Sequence, residues 1–135
     1  MILDPQRFTV YDIQAFPLVI ACNEAIVPGY AEQWERELDA LVAQPQPFVI
    51  IFPEGRPEAE SHEDRKRRMA WFKANRQRLG SVCRALISIE YDAREREQAQ
   101  ARAQDLAKVF GVALETTATR EEAQLLARRL LLEMD

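Results

Sequence analysis

The chain predicts an α/β fold: a mixed, mainly parallel five-stranded sheet with about four helices, in a single domain spanning residues 1–135. Three observations carry this. Short apolar runs rich in β-branched residues, FVIIF at 48–52 above all, alternate with longer segments whose apolar residues recur every three to four positions. Breakers stand at the boundaries, as Pro28-Gly29, Gln44-Pro45-Gln46-Pro47 and Gly111. The resulting order, β-β-α-β-α-β-α-β-α, calls for parallel pairing of the later strands through right-handed crossovers. With 47% apolar and 30% charged residues in 135, the composition is that of an ordinary soluble globular domain with enough chain for a core.

Arg7–Ile13 (RFTVYDI) and Phe16–Cys22 (FPLVIAC) predict two strands turning at Gln14-Ala15, an antiparallel hairpin with Pro17 at a strand start or edge. Pro28-Gly29 opens a helix to about Val42, with Tyr30, Trp34, Leu38, Leu41 and Val42 as its inward stripe. Phe48–Phe52 is continuously apolar, as a central strand covered on both faces requires. Pro53–Glu60 (PEGRPEAE) is an acidic, proline-rich loop, expected to be mobile.

Ser61–Val82 then forms a basic helix. Met69, Phe72, Leu79 and Val82 share its inward face, Trp71 lies at the margin, and Arg68 and Asn75 fall in the middle. Ser61 and Asp64 have the spacing of a capping box, and Gly80 suggests fraying near the far end. Arg84–Tyr91 (RALISIEY) is the fourth strand. Asp92 caps a helix from Ala93 to Phe110 with Ala99, Ala103, Leu106, Ala107 and Phe110 inward, ended by Gly111. Val112–Thr116 is a short fifth strand. Thr119 and Glu122 cap a last helix to about Met134, whose core stripe is Ala123, Leu126, Ala127, Leu130 and Met134. In sheets of this kind, ligands favour the loops at the carboxyl ends of strands, here Asn23–Gly29, Pro53–Ser61, Tyr91-Asp92 and Thr117–Thr119.

A net charge of −4 supplies no global field for phosphate, which argues against nucleic acid as a partner. Only Cys22 and Cys83 are present, so a disulfide framework is not indicated and a reducing cytoplasm is the simpler setting. The first residues, MILDPQRFTV, lack the layout of a signal peptide, and no apolar run approaches a membrane span.

His62 is the only histidine; the acids around it favour a solvated helix start over a metal site, because no second His or Cys has ligand spacing. Cys22, at a strand end before a helix, has the position of an activated thiol, yet no histidine lies nearby and a packing role is the better account. Glycine-rich phosphate loops, HExxH and nucleophile-elbow patterns do not occur in the sequence, and no cofactor is expected.

Arg65, Lys66, Arg67, Arg68, Lys73, Arg76 and Arg78 make the helix after the central strand strongly basic, suited to phosphate or an acidic partner, or to a solvated face paired with Glu63, Asp64 and the acidic loop. Within it, Arg68 can clamp a carboxylate, Trp71 can stack and Asn75 offers both donor and acceptor. The competing structural account has Arg68 snorkelling to the sheet edge and Asn75 bonding a carbonyl. Leu125 and Leu132, seven apart on the last helix, serve either a homodimer seam or extra core burial.

The strand PFVIIF, the helix with RMAWFKANRQRL, the strand ALISIE and the closing GVALETTATREEAQLLARRLL resemble the STAS family, the sulfate transporter and anti-sigma-factor antagonist domains, in particular its small single-domain, lipid-binding-like branch. The resemblance covers most of residues 7–134 and implies a non-catalytic module that binds proteins or small ligands. Some members are switched by phosphorylation of a serine in a short turn after the central strand. Here that position reads Phe52-Pro53-Glu54-Gly55-Arg56, without a hydroxyl, which leaves Ser61 as the candidate phosphosite.

The expected function is therefore a non-enzymatic regulatory or interaction module. It binds an acidic protein partner or a small anionic ligand through Arg65, Arg68, Trp71 and Asn75. The alternative is a small-molecule-binding enzyme or accessory protein of a biosynthetic pathway that uses the same residues for substrate.

Overall fold

The expected strands and helices form in the expected order. The computed structural model of the protein describes residues 3–54 and 60–132. Its elements are β1 (Tyr11–Asp12), β2 (Leu18–Ala21), α1 (Ala31–Ala43), β3 (Phe48–Phe52), α2 (His62–Val82), β4 (Cys83–Ile89), α3 (Ala93–Phe110), β5 (Leu114–Thr117) and α4 (Arg120–Leu132). The strands stand side by side in chain order, β1-β2-β3-β4-β5. Only the β1–β2 pair is antiparallel, with Tyr11 opposite Ala21; β2 to β5 run parallel.

The first strand is much shorter than Arg7–Ile13. Pro5 starts a 3-10 turn over Pro5–Arg7, capped by Asp4, and so breaks extension at the front. The N–H groups of Thr9, Val10 and Tyr11 then turn away from the sheet and donate to the Glu37 carboxylate of α1 at 2.8–3.1 Å. Pro28 and Gly29 fall in the turn before α1, Gly29 with φ +91°.

Because each new strand is added on the same side, the crossover helices collect on one face of the sheet. There Trp34, Leu38 and Leu41 of α1 and Trp71, Phe72 and Leu79 of α2 pack on Val19, Phe48, Ile50 and Leu86. The opposite face holds Val49, Ile51, Ala85, Ile87 and Ile89 under Ala123 and Ala127 of α4. β3 is thus covered on both faces, as its unbroken apolar run requires. In β4 the facing pattern changes phase at Arg84, where Phe48 and Val49 pair with Cys83 and Ala85, so that one residue bulges out.

Several local expectations need correction. On α2, Trp71 is buried and Met69 is 40% exposed, so the inward face is rotated toward Trp71. Gly80 does not fray the helix: α2 continues to Val82, and a Cβ at Gly80 would stand 2.5 Å from the carbonyl oxygen of Gly111. Glycine lets α2 approach the end of α3. Arg76 reinforces that junction by donating from Nε to the Lys108 carbonyl at 2.7 Å, a cation at a helix C-terminus.

On α3, no residue is fully buried, and Leu106 is 41% exposed. The helix packs on the edge strand β5 and on α2, which offer less cover than the sheet centre. On α4, Ala123 and Ala127 are buried as expected, whereas Leu125 and Leu132 are 63% and 80% exposed and contribute no core. Met134 lies outside the described residues. Among the described residues, no helix is long and apolar enough to cross a membrane.

Candidate functional site

At the carboxyl ends of β2 and β3, the sheet leaves a cleft of about 180 Å³ under α1 and α2. Its floor and walls are apolar and aromatic, with Ile26, Trp34, Phe52 and Phe72 prominent. α1 supplies Trp34, whose ring meets Phe72 edge-on at 5.4 Å and Trp71 at the same separation. Such tilted contacts fix ring orientation and add stability beyond area burial. Phe72 continues the stack to Phe110 at 4.5 Å.

The polar side of the cleft is one network. Glu60, just before α2, accepts from Arg68 Nε at 2.5 Å and from Arg68 Nη2 at 3.0 Å, a two-pronged ion pair. The Tyr30 hydroxyl donates to the same carboxylate, and Arg65 Nε approaches it at 3.6 Å. The Arg68 guanidinium also lies over the Trp34 ring, 5.9 Å from its centroid. Tyr11, 3% exposed, accepts from Trp34 Nε1 at 2.8 Å.

These groups are held in fixed protonation states. Burial alone would raise the Glu60 carboxyl, but the hydrogen bonds from Arg68 and Tyr30 and the adjacent positive charge outweigh it and hold it low. Burial also opposes the charge on Arg68, and Glu60 more than compensates. Tyr11 is pushed far up by burial, and Tyr30 by burial and by its bond to Glu60, so both stay neutral.

Ser61 caps α2: its hydroxyl accepts from Asp64 N at 3.1 Å and donates to Asp64 Oδ2 at 2.8 Å. The reciprocal half of a capping box does not form, because the Asp64 carboxylate is used elsewhere. It accepts from Gly29 N at 2.8 Å and Ala31 N at 3.1 Å, tying the start of α1 to the start of α2. A phosphate on Ser61 would stand against that buried carboxylate, a like-charge contact.

The residues expected to recognise a ligand are dispersed. Arg68 lines the cleft and Arg65 reaches its rim with an exposed side chain. Trp71 is buried one turn on, its Nε1 donating to Asp39 Oδ1 at 2.9 Å. Asn75 occupies a kink in α2 (φ −115°, ψ 17°), donating to the Trp71 carbonyl and accepting from Arg78 Nη1. Its amide thus satisfies the backbone that the kink frees. Tyr11, Tyr30, Trp34, Phe72 and Glu60 complete the cleft instead. Tyr30 and Trp34 were legible only as core stripe; no local pattern pairs Glu60 with Arg68.

The acidic loop reaches the cleft at both described ends, Pro53 and Glu60; residues 55–59, on which its expected mobility rests, lie outside the described residues. His62 is exposed at the start of α2, and no group of three metal-ligating side chains occurs among the described residues. Cys22 borders a second cleft, of about 370 Å³, on the α4 side of the sheet, with Glu54 and Arg120 paired across it at 3.2 Å. Burial and the nearby Glu24 and Asp12 raise the Cys22 thiol, the opposite of activation. Cys83 is buried in the core and pushed up to about 12 by that burial. A larger furrow, about 640 Å³, runs between Leu3–Phe8 and α1, but exposed Arg7 and Arg36 line it and it gathers no buried polar network apart from Glu37.

Comparison with known proteins gives no match: no family model, no curated protein and no solved structure is similar to the chain.

Proposed function

We propose that the protein is a non-enzymatic, STAS-like interaction or regulatory module that takes a small ligand in the cleft at the carboxyl ends of β2 and β3. The carrying observation is the joining there of aromatic walls to the Arg68–Glu60–Tyr30 network at the edge where open α/β sheets bind. Two features favour binding over catalysis. Tyr11, Tyr30 and Arg68 are shifted up and Glu60 down, all away from the neutral pH range, whereas acid–base work is most efficient when a group titrates near the operating pH. Cys22, the nucleophile nearest a strand end, is shifted against reactivity.

An acidic protein partner is the second reading, and it belongs on the solvent side of α2. Arg65, Lys66 and Lys73 are exposed there, while Arg67 is bound by Glu35 at 2.6 Å. With both cysteines free, a reducing cytoplasm is the natural setting.

Small molecules carried by the protein from its native host can be identified by mass spectrometry and titrated back. An Ile26→Trp variant, which adds bulk to the cleft wall and leaves Glu60 and Arg68 unsubstituted, is the control. Ligand that binds the wild type, is lost in the variant and is recovered chemically unchanged supports the reading. Turnover of the ligand, or undiminished binding to the variant, overturns it.

A further inference from the structure

The charges of the cleft are already closed on themselves. Two of the three Arg68 nitrogens, Nε and Nη2, are taken by Glu60, and Tyr30 donates to the same carboxylate. An anion seeking the same two-pronged contact would have to replace Glu60, whose side chain is only 11% exposed, and leave that carboxylate with the longer contact to Arg65 as its only ion pair. Separating a partly buried, two-pronged pair is costly. The two-pronged, anion-clamping edge of Arg68 is therefore spent inside the chain.

Tyr11 is a buried donor left open on the cleft wall. Its oxygen accepts from Trp34 Nε1, and its own O–H has no acceptor among the described residues, although the side chain is 97% buried (3% exposed) on the cleft wall. Buried hydroxyls ordinarily find a partner. Burial keeps this one protonated and so keeps it a donor. Around it stand Ile26, Trp34, Phe52 and Phe72, which present apolar surface and ring edges. The volume, about 180 Å³, is that of a single-ring compound, since cavities of about 150 Å³ accept benzene.

We infer that the occupant of the cleft is a small, uncharged, ring-bearing molecule with one hydrogen-bond acceptor, received by the Tyr11 hydroxyl. This rests on the cleft reading above and names the ligand class. Aromatic walls contribute the affinity, and Tyr11 selects for an acceptor and fixes its orientation. Glu60 and Tyr30 close the charged side, so that Arg68 acts as a strut over Trp34 and the Glu60 carboxylate discriminates against anions.

The test titrates the full chain at neutral pH with acetophenone, ethylbenzene and benzoate, matched in ring and differing in acceptor and charge. The indole N–H resonance of Trp34 reports occupancy. Acetophenone should bind about tenfold more tightly than ethylbenzene, the worth of one hydrogen bond, and benzoate more weakly than acetophenone. Tyr11→Phe should bring acetophenone down to the level of ethylbenzene and leave ethylbenzene unchanged. Should that variant fail to fold, the three wild-type affinities decide. Equal binding of acetophenone and ethylbenzene, or tightest binding by benzoate, overturns the inference and leaves the cleft reading standing. If none of the three moves the Trp34 resonance, the inference and the cleft reading both fall.

Discussion

Glu37 is the most fully buried carboxylate described, 2% exposed, and it faces no cation within ion-pair distance among the described residues. Three backbone N–H groups, of Thr9, Val10 and Tyr11, and the Gln33 amide converge on it instead. It thus takes the place of a strand that the short β1 lacks, satisfying donors that would otherwise be orphaned. In Glu37→Gln, one oxygen becomes an NH₂ facing donors. The expected loss is about 3 kcal/mol, read from urea unfolding midpoints; a change under about 0.5 kcal/mol would refute the role, being no more than an ordinary surface substitution costs. The sequence showed none of this, because the donors lie 26–28 residues earlier and a Glu beside Leu38 has the look of a helix margin. Arg68 was legible, since its phase alone put a charge on an inward face. Its partner was not, because pairing Glu60 with it depends on how the loop re-enters α2.

At the scale of elements, the α2–α3 junction turns on two glycines. Gly111 ends α3 with φ +76° and a Cβ there would meet Arg76, while Gly80 lies against Gly111 itself. Helix propensity alone favours Gly80→Ala by up to about 1 kcal/mol. The 2.5 Å approach to a backbone oxygen has no flexible side chain to yield, so the substitution should be net destabilising, by about 1–3 kcal/mol. Chemical denaturation of the variant settles the sign, and a stabilised Gly80→Ala would mean that the helices are not held this close. Read along the chain, a glycine near a helix end means fraying; only the neighbouring helix shows that it means contact. The helices themselves were legible wherever an apolar stripe met a sheet. They were misphased where the stripe met only an edge, as Leu106 of α3 was, and on α2, where Trp71 and not Met69 turns inward.

Across the whole molecule, acid should loosen the tie between α1 and α2. Burial would raise the Asp64 carboxyl, but the bonds from Gly29, Ser61 and Ala31 win and hold it low, as Arg68 and Tyr30 do for Glu60. A carboxyl depressed in the folded state lends stability above its unfolded value, about 4, and that contribution is lost as pH falls through the folded value. Stability should therefore drop below about pH 4, and the gap between wild type and Asp64→Asn should narrow over the same range. Urea midpoints from pH 7 to pH 3 check this, and a gap independent of pH would contradict it. The architecture as a whole was legible for a topological reason. Each strand from β2 to β5 lies beside its predecessor, so local alternation already implied the sheet order. That same order governs how the chain assembles. No strand must wait for a later one to be inserted between it and its neighbour, so loop closures stay short for a parallel sheet. During synthesis, each emerging β-α unit meets an edge that is already formed and awaiting it.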